Sequence, residues 1–306
     1  MKTQILLYYQ YVPIADPKAM LEQQKELCHS LNLKGRIIIA HEGINGTVEG
    51  AHESCQKYMD FMLSQKEFSG MNFKKSEGDG SAFPKLSVKL RSEIVSGSFG
   101  KEDVNPAVFT APYITAETLH DWIHSNKEFY IIDMRNDYEH KVGFFKNSVL
   151  PPLKNFRDLP KVLPQLAHLK DKVVVTVCTG GVRCEKASGF LLQHGFKEVY
   201  QLQNGIVTYM EKYPNEDFLG KLYVFDGRVT MGFNTNDPKH VIVGTCERCG
   251  KPSDNYVDCG YIYCKGNRHF ICCKECLSKN GKAYSSRFCQ IKDWFLQLKK
   301  TDKAHA

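Results

Sequence analysis

A cysteine loop in the middle of the chain has the composition of a reactive-thiol site. Cys178 ends an apolar β-branched stretch, and four residues separate it from Arg183: Thr179, Gly180, Gly181 and Val182. The two glycines allow backbone N–H groups to curl toward the sulfur as an anion-binding nest. The helix predicted after the loop and the Arg183 guanidinium add positive potential, so the thiol pKa should fall from ~8.5 into the ~3.5–7.5 range. We therefore predict a reactive thiolate, with Cys178 and Arg183 as the active pair.

A second cysteine, Cys184, follows Arg183 directly. One interpretation is that Cys184 resolves an oxidised Cys178 by forming a disulfide, as the paired cysteines of redox sensors do. The other is that Cys184 is structural, because it begins the predicted helix and can face the sheet. Both interpretations stay open at this point, and we favour the structural one.

Cysteine pairs near the C-terminus have the spacing of zinc ligands. Cys246 and Cys249 form one C-x2-C pair, and Cys273 and Cys276 form another after 23 intervening residues. Two such pairs can place four thiolates around one tetrahedral Zn²⁺, which supplies folding free energy to a segment poor in aliphatic residues. Further ligands are available for a second site or for cross-bracing the first: Cys259, Cys264, Cys272, Cys289 and His269. Since the chain supplies every ligand, we predict structural zinc, and no organic cofactor is evident.

Positive charge is concentrated in the same C-terminal region. The chain of 306 residues has a formal net charge of +7. Residues 1–109 and 110–220 each hold 13 basic and 13 acidic residues, whereas residues 240–306 hold 12 basic and 6 acidic ones. Basic residues interleaved with aromatic side chains suit a nucleic acid, through phosphate neutralisation and base stacking. The alternative is a solvated basic surface over a core that uses the aromatic residues.

The composition limits the class of protein. The hydrophobic fraction of 42% is enough for a sizeable core, but the apolar runs are far shorter than the ~20 residues of a membrane helix. The first residues lack the features of a secretory signal. Twelve cysteines without such a signal indicate metal and thiol chemistry in a reducing compartment. We therefore expect a cytoplasmic protein with no membrane partner.

The elements that position Cys178 follow from the hydrophobic pattern. Strands alternate with helices over residues 110–220, which predicts a parallel sheet wrapped by helices, with ligands bound beyond the carboxyl ends of its strands. Residues 1–109 show the order βαββαβ, which predicts a ferredoxin-like α+β domain followed by a linker, with residues 76–81 as a loop. Residues 221–306 form the basic cysteine-rich region. The predicted fold class is therefore α/β in three parts.

The central part resembles rhodanese domains. The resemblance rests on DMRNDYE at 133–139, Gly143, the CxxxxR loop, and the stretch from Gly195 to Ile206. Arg135, which follows the strand-end Asp133, is expected to form a structural ion pair beneath the loop. Related phosphatases have five residues between the cysteine and the arginine to surround a phosphate. The ring of four is tighter and suits sulfur, which disfavours phosphatase chemistry.

The resemblance extends over nearly the whole chain, to the bacterial rhodanese-containing tRNA uridine hydroxylases. Four stretches carry it: GRIIIAHEGINGTVEG (35–50), FPKLSVKLRSEIV (83–95), CTGGVRCEKAS (178–188) and GKLYVFDGR (220–228). It implies 5-hydroxylation of the wobble uridine (position 34) of tRNA, with molecular oxygen as co-substrate and Cys178 as the essential residue. Addition of the Cys178 thiolate to C6 of uracil would make C5 electron-rich toward oxygen, which is a chemical hypothesis and not a property of the family.

Three basic residues are candidate contacts for tRNA: Arg36, Lys89 and Lys186. Two other functions compete with tRNA hydroxylation. One is a sulfurtransferase that uses thiosulfate or a persulfide, because the cysteine loop resembles a rhodanese loop. The other is a non-catalytic RNA-binding protein that senses redox state through its cysteines.

Overall fold

The computed structural model of the chain describes residues 2–265, 269–278 and 281–304. These residues form a mixed α/β protein in which a ferredoxin-like unit, a parallel-sheet unit and a cysteine-rich region follow one another. The predicted fold class is therefore confirmed. Within the described ranges, no helix combines the length and the apolar composition of a membrane span.

The N-terminal unit is a five-stranded sheet packed against two helices. Its strand order is β4-β1-β3-β2-β5, and every pair is antiparallel except β2 with β5. Leu6 and Tyr8 of the first strand pack against the helices in the core of this unit, whereas Tyr9 points to the central unit. The elements are β1 (Thr3–Tyr11), α1 (Pro17–Ser30), β2 (Lys34–Ala40), β3 (Gly43–Gly50), α2 (His52–Ser64), β4 (Asn72–Gly78) and β5 (Leu86–Leu90).

Strand β4 is missing from the predicted order βαββαβ, because the structure has the order βαββαββ. The prediction of a loop over residues 76–81 is wrong for residues 76–78, which end this strand. Strand β4 lies at the edge of the sheet, next to β1. Charged residues are typical of edge strands because they discourage pairing with another chain. The alternation of polar and apolar residues that identifies a strand was therefore not apparent in β4, which contains Lys74, Lys75 and Glu77.

The central unit confirms the predicted parallel sheet. Its strand order is β6-β10-β9-β7, and all three pairs are parallel. Val174, Val175 and Val177 of the inner strand β9 are fully buried, as expected for a strand that is covered on both faces. The elements are β6 (Tyr113–Ile114), α3 (Ala116–Ile123), β7 (Tyr130–Asp133), α4 (Asp137–His140), β8 (Gly143–Phe145), α5 (Leu159–Leu166), β9 (Val173–Val177), α6 (Val182–Gln193), β10 (Glu198–Leu202) and α7 (Gly205–Lys212).

The C-terminal region begins directly after a short antiparallel pair that β11 (Phe218–Gly220) forms with β8 at the end of the central unit. Its own core consists mostly of cysteines with Phe270, Ala283 and Tyr284. Such a core buries little aliphatic surface, which limits its hydrophobic stabilisation. The elements of the C-terminal region are β12 (Leu222–Tyr223), β13 (Thr230–Met231), β14 (Tyr256–Asp258), β15 (His269–Ile271) and α8 (Arg287–Ala304).

Strand β1 of the N-terminal unit lies across the cysteine loop of the central unit. The Tyr9 hydroxyl donates a hydrogen bond to Glu185 at 2.9 Å, and the Tyr11 hydroxyl donates to the Val182 carbonyl at 3.2 Å. Leu7 is so close that a Cβ on Gly180 would lie 3.0 Å from its side chain. The two units therefore enclose the space in front of Cys178 together.

Candidate active site

Cys178 lies at the carboxyl end of β9, where a parallel sheet presents its ligand-binding edge. The loop that follows turns at Gly181, whose φ of +104° is rarely adopted by residues with a side chain. A Cβ at this position would also lie 2.7 Å from the Tyr9 hydroxyl oxygen. The second loop glycine is therefore required both by the backbone conformation and by the approach of β1.

The loop directs hydrogen-bond donors at the sulfur, as predicted. The Gly181 N–H donates to Cys178 Sγ at 3.3 Å, and Arg183 and Cys184 follow at once in the first turn of α6. Burial by itself would raise the pKa of Cys178. The Cys184 hydrogen bond, the Arg183 charge and the backbone donors outweigh burial and lower this pKa from 9.0 to about 6. The sulfur is therefore mostly ionised at neutral pH.

Arg183 is held by a partner that the sequence analysis did not single out. Its two terminal nitrogens donate to the two carboxylate oxygens of Glu139 at 2.5 and 2.9 Å, and both side chains are buried. Burial by itself would lower the Arg183 pKa, but Glu139 raises it above its ordinary value. This fork-to-fork geometry fixes the guanidinium beside the cysteine loop. The available signal was the spacing of Asn136 and Glu139, which form a capping box at the start of α4.

A second buried ion pair supports the loop from below. Arg135 donates to both carboxylate oxygens of Asp133 and to the Gly143 carbonyl oxygen. Both charged side chains have no exposed surface. The predicted structural role of Arg135 is therefore confirmed.

A cavity of about 320 Å³ opens between the N-terminal sheet and the cysteine loop. Cys178, fully buried, forms part of its wall together with Arg183 and the loop backbone. The other walls combine basic, amide and aromatic side chains from all three parts of the chain, among them Arg36, Asn45, Asn136, Asn155, Arg157 and Phe225. The reactive sulfur thus lies in a site whose walls are chemically suited to polar, aromatic or anionic groups.

The predicted tRNA contacts have different positions. Arg36 lines the cavity, and Lys89 is exposed on β5 outside the cavity lining. Lys186 is fully buried, with its ammonium 3.0 Å from Glu42, 3.4 Å from Glu93 and 3.1 Å from Asp103. Because its charge is already enclosed by carboxylates, the prediction of an RNA contact at Lys186 is wrong. Lys186 instead connects α6 to the N-terminal unit and the linker.

Comparison with known proteins agrees with this architecture. Residues 3–94 match the family model described as a UPF0176 acylphosphatase like domain, residues 115–212 match the rhodanese-like domain, and residues 219–290 match the rhodanase C-terminal model. A protein of Cytophaga hutchinsonii named tRNA uridine(34) hydroxylase is 45% identical over 92% of this chain and 88% of its own length. The chain belongs to the tRNA uridine(34) hydroxylase family. Two further members of that name are 39% identical (Bacillus cytotoxicus) and 41% identical (Onion yellows phytoplasma), over 92% and 88% of this chain and 86% of each relative.

The C-terminal region of this family member contains a cluster of four sulfurs. One ligand atom each of Cys246, Cys249, Cys273 and Cys276 lies within 4.8 Å of the others, and the Cys249 and Cys273 sulfurs are 3.6 Å apart. Sulfurs around a tetrahedral zinc lie about 3.8 Å apart, given a Zn–S bond of about 2.3 Å. The four thiols predicted as the first zinc set are therefore together, and their number, type and spacing fit this metal.

The predicted second set is divided by the structure. Cys259, Cys264 and Cys289 form a second cluster, and the Ser285 hydroxyl lies within 3.6 Å of all three sulfurs. The Cys272 thiol instead donates to the Cys273 carbonyl, at a sulfur–oxygen distance of 3.7 Å. His269 contacts Asp258 at 2.8 Å and stacks on Tyr256. Of the five residues predicted for a second site or for cross-bracing the first, Cys272 and His269 thus lie outside this second cluster.

Proposed function

We propose that this protein hydroxylates C5 of the wobble uridine of tRNA, with molecular oxygen as co-substrate and Cys178 as the nucleophile. Membership in a family whose curated members are named tRNA uridine(34) hydroxylase supports the substrate and the product. The observation that carries the mechanism is the Cys178 thiol of lowered pKa in the wall of a nucleobase-sized cavity. tRNA is then the partner, and the cytoplasm, where tRNA is found, is the place of action.

The size of the cavity suits one nucleotide that has left its stack. Its volume of about 320 Å³ is at the lower end of the ~300–1,000 Å³ of small-molecule sites. Position 34 lies in the anticodon loop, where a single-stranded base turns outward at little cost. Phe225, about half exposed at the cavity, offers a ring on which this base can stack.

The polar walls suit uracil and its phosphates. A side-chain amide both donates and accepts hydrogen bonds, and uracil presents a matching pattern of two carbonyls and one N–H. Asn45, Asn136 and Asn155 line the cavity and are the amides available for this contact. Arg36 and Arg157 lie in the same lining, and their guanidinium groups are suited to the flanking phosphates.

The proposed chemistry begins at the ionised sulfur. The Cys178 thiolate adds to C6 of uracil, which forms a C–S bond and moves negative charge to C5 and O4. C5 is then the atom that reacts with oxygen. Arg183, fixed by Glu139, keeps the sulfur ionised before addition, and thus acts as a positioning residue for the thiolate. The Gly181 N–H completes the loop around the sulfur.

The test is nucleoside mass spectrometry of tRNA from a strain that lacks the corresponding gene. Complementation with the wild type should restore 5-hydroxyuridine, and complementation with Cys178→Ser should not. In a purified reaction under ¹⁸O₂, the product should carry the label. Equal 5-hydroxyuridine in the deletion strain and both complemented strains would refute the proposal, and so would an unlabelled product.

A sulfurtransferase is the second candidate, because residues 115–212 match the rhodanese-like domain and Cys178 is placed to carry a persulfide. Purified protein would then release thiocyanate from thiosulfate and cyanide, and this release would be lost in Cys178→Ser. If the protein is instead a redox sensor that only binds RNA, the result differs from that expected for either enzyme. Cys178→Ser would then leave both the tRNA nucleosides and the thiocyanate release unchanged.

We also propose one structural zinc ion held by Cys246, Cys249, Cys273 and Cys276. The closeness of the four sulfurs and the small aliphatic core of this region support it. The ion would supply folding free energy to the C-terminal region and would leave the reaction at Cys178 unchanged in kind.

A further inference from the structure

Cys184 lies where it can act on a group bound to Cys178. It is the third residue of α6, and its backbone N–H donates to the Gly181 carbonyl at 2.9 Å. Like Cys178 it has no exposed surface, and both belong to the same core cluster. Gly181 links the two cysteines, because its N–H donates to the Cys178 sulfur at 3.3 Å while its carbonyl accepts from the Cys184 N–H. The two thiols therefore lie in one buried cluster at the carboxyl end of β9, on either side of a single loop residue.

The stoichiometry of hydroxylation by molecular oxygen indicates what a second thiol can contribute. When molecular oxygen hydroxylates a C–H bond, one oxygen atom enters the product and the other leaves as water. This requires two electrons and two protons from a reductant. Two thiols that form one disulfide release two electrons and two protons. The pair at the cysteine loop therefore matches the demand of one turnover.

We propose that Cys184 is a second catalytic residue, and that Cys178 and Cys184 together supply the two electrons for hydroxylation by forming a disulfide in each turnover. This inference rests on the proposed oxygen-dependent hydroxylation at Cys178. It revises the interpretation of Cys184 as a purely structural residue. A cellular dithiol reductant then restores both thiols.

The steps balance in atoms and electrons. Cys178 adds to C6, and the carbanion at C5 takes up oxygen and a proton to become a C5 hydroperoxide. The Cys184 thiol attacks the outer oxygen, which breaks the O–O bond and leaves a C5 hydroxyl and a Cys184 sulfenic acid. Loss of the C5 proton and of the Cys178 sulfur from C6 releases 5-hydroxyuridine. The freed Cys178 thiolate attacks the sulfenic acid, which forms the disulfide and releases water.

The directions of the pKa shifts at Cys178 and Cys184 agree with the order of these steps. Burial raises the pKa of Cys184 well above its ordinary value, and the hydrogen bond to Cys178 and the Cys178 charge raise it further. Cys184 is therefore protonated while Cys178 is the thiolate. When Cys178 becomes a neutral thioether, its contribution disappears, whereas the Thr176 hydrogen bond and the Arg183 charge, which lower the Cys184 pKa, remain. Cys184 thus becomes more acidic only after the substrate has been attached.

The experiment is a single-turnover reaction without added thiol. Reduced protein, freed of reductant, is mixed with unmodified tRNA in oxygenated buffer and quenched with N-ethylmaleimide. Nucleoside mass spectrometry measures 5-hydroxyuridine, and peptide mass spectrometry measures the Cys178–Cys184 disulfide. We expect both to rise together to about one equivalent per chain and then stop, because two thiols hold two electrons. Added dithiothreitol should allow further turnovers.

Variants separate the inference from its alternatives. Cys184→Ala should lose the thiol-free product and regain part of it when dithiothreitol is added, whereas Cys28→Ala, which removes a buried thiol from the N-terminal core, should behave like the wild type. Full thiol-free product from Cys184→Ala, or wild-type product with both thiols still reduced, would overturn the inference and leave the proposed function intact. No 5-hydroxyuridine from the wild type under any condition would overturn both. The wild-type disulfide measurement does not depend on the folding of any variant.

Discussion

Replacement of Gly181 by alanine tests how the loop ionises Cys178. Gly181 has a φ of +104°, and its N–H donates to the Cys178 sulfur at 3.3 Å. An alanine Cβ would lie 2.7 Å from the Tyr9 hydroxyl oxygen and 3.3 Å from two carbons of its ring. The loop must therefore shift, and the shift moves the Gly181 N–H away from the sulfur.

The size of the effect follows from one lost donor. A hydrogen bond to a charged group contributes about 1.5–3 kcal/mol, and one pKa unit corresponds to about 1.4 kcal/mol, so the pKa should rise by about one to two units. Starting from about 6, the Cys178 pKa of the variant should lie at about 7–8. At pH 7 the thiolate fraction should fall from about nine-tenths to between about one-half and one-tenth. The backbone strain should also cost about 1–3 kcal/mol of unfolding free energy.

The assay is the pH dependence of alkylation by iodoacetamide, which is small enough for the cavity, with the peptide that contains Cys178 quantified by mass spectrometry. The wild-type rate should rise with pH around an inflection near 6, and the Gly181→Ala inflection should lie higher. Gly70→Ala is the matched control, because a Cβ there meets no atom within 4 Å. A wild-type inflection near 9, or an unchanged inflection in a folded Gly181→Ala variant, would refute the reasoning.

Four further outcomes are expected. Glu139→Gln leaves the buried charge of Arg183 without its partner, so urea denaturation should show a loss of about 3 kcal/mol or more, and an unchanged midpoint would contradict the pairing. Lys186→Met leaves three carboxylates facing one another, and since Asp103 is about one-third exposed the loss should be smaller, roughly 2 kcal/mol by the same measurement. Phe225→Ala should raise the KM for tRNA by roughly tenfold, because base stacking contributes about 1–3 kcal/mol, whereas an unchanged KM would remove the stacking role. Removal of zinc by a chelator should unfold the C-terminal region but not the parallel sheet, and hydrogen exchange measures both. If hydrogen exchange in this region stays unchanged after Cys246 and its partners have lost the metal, the metal is not structural.

The sequence by itself determined the chemistry of the cysteine loop. The β-branched run of β9, the two glycines and the start of α6 are neighbours along the chain, so their geometry depends on local backbone preferences. The lowered Cys178 pKa and the parallel sheet follow from these local signals. The sequence also showed the four-residue spacing between Cys178 and Arg183 and the two C-x2-C pairs. Such spacings indicate function because they reflect the geometry that the ligands require.

Only the tertiary structure decided which distant residues share the site. Arg36, Arg157 and Phe225 belong to three parts of the chain, and they line one cavity because β1 crosses the cysteine loop. From the sequence, Lys186 is expected to be a surface charge, yet three carboxylates from the N-terminal unit and the linker surround it. The partner of Arg183 was not apparent for the same reason: Glu139 is 44 residues away along the chain. Long-range contacts depend on how whole elements pack against one another. Residue types and their spacing along the chain do not by themselves indicate that packing.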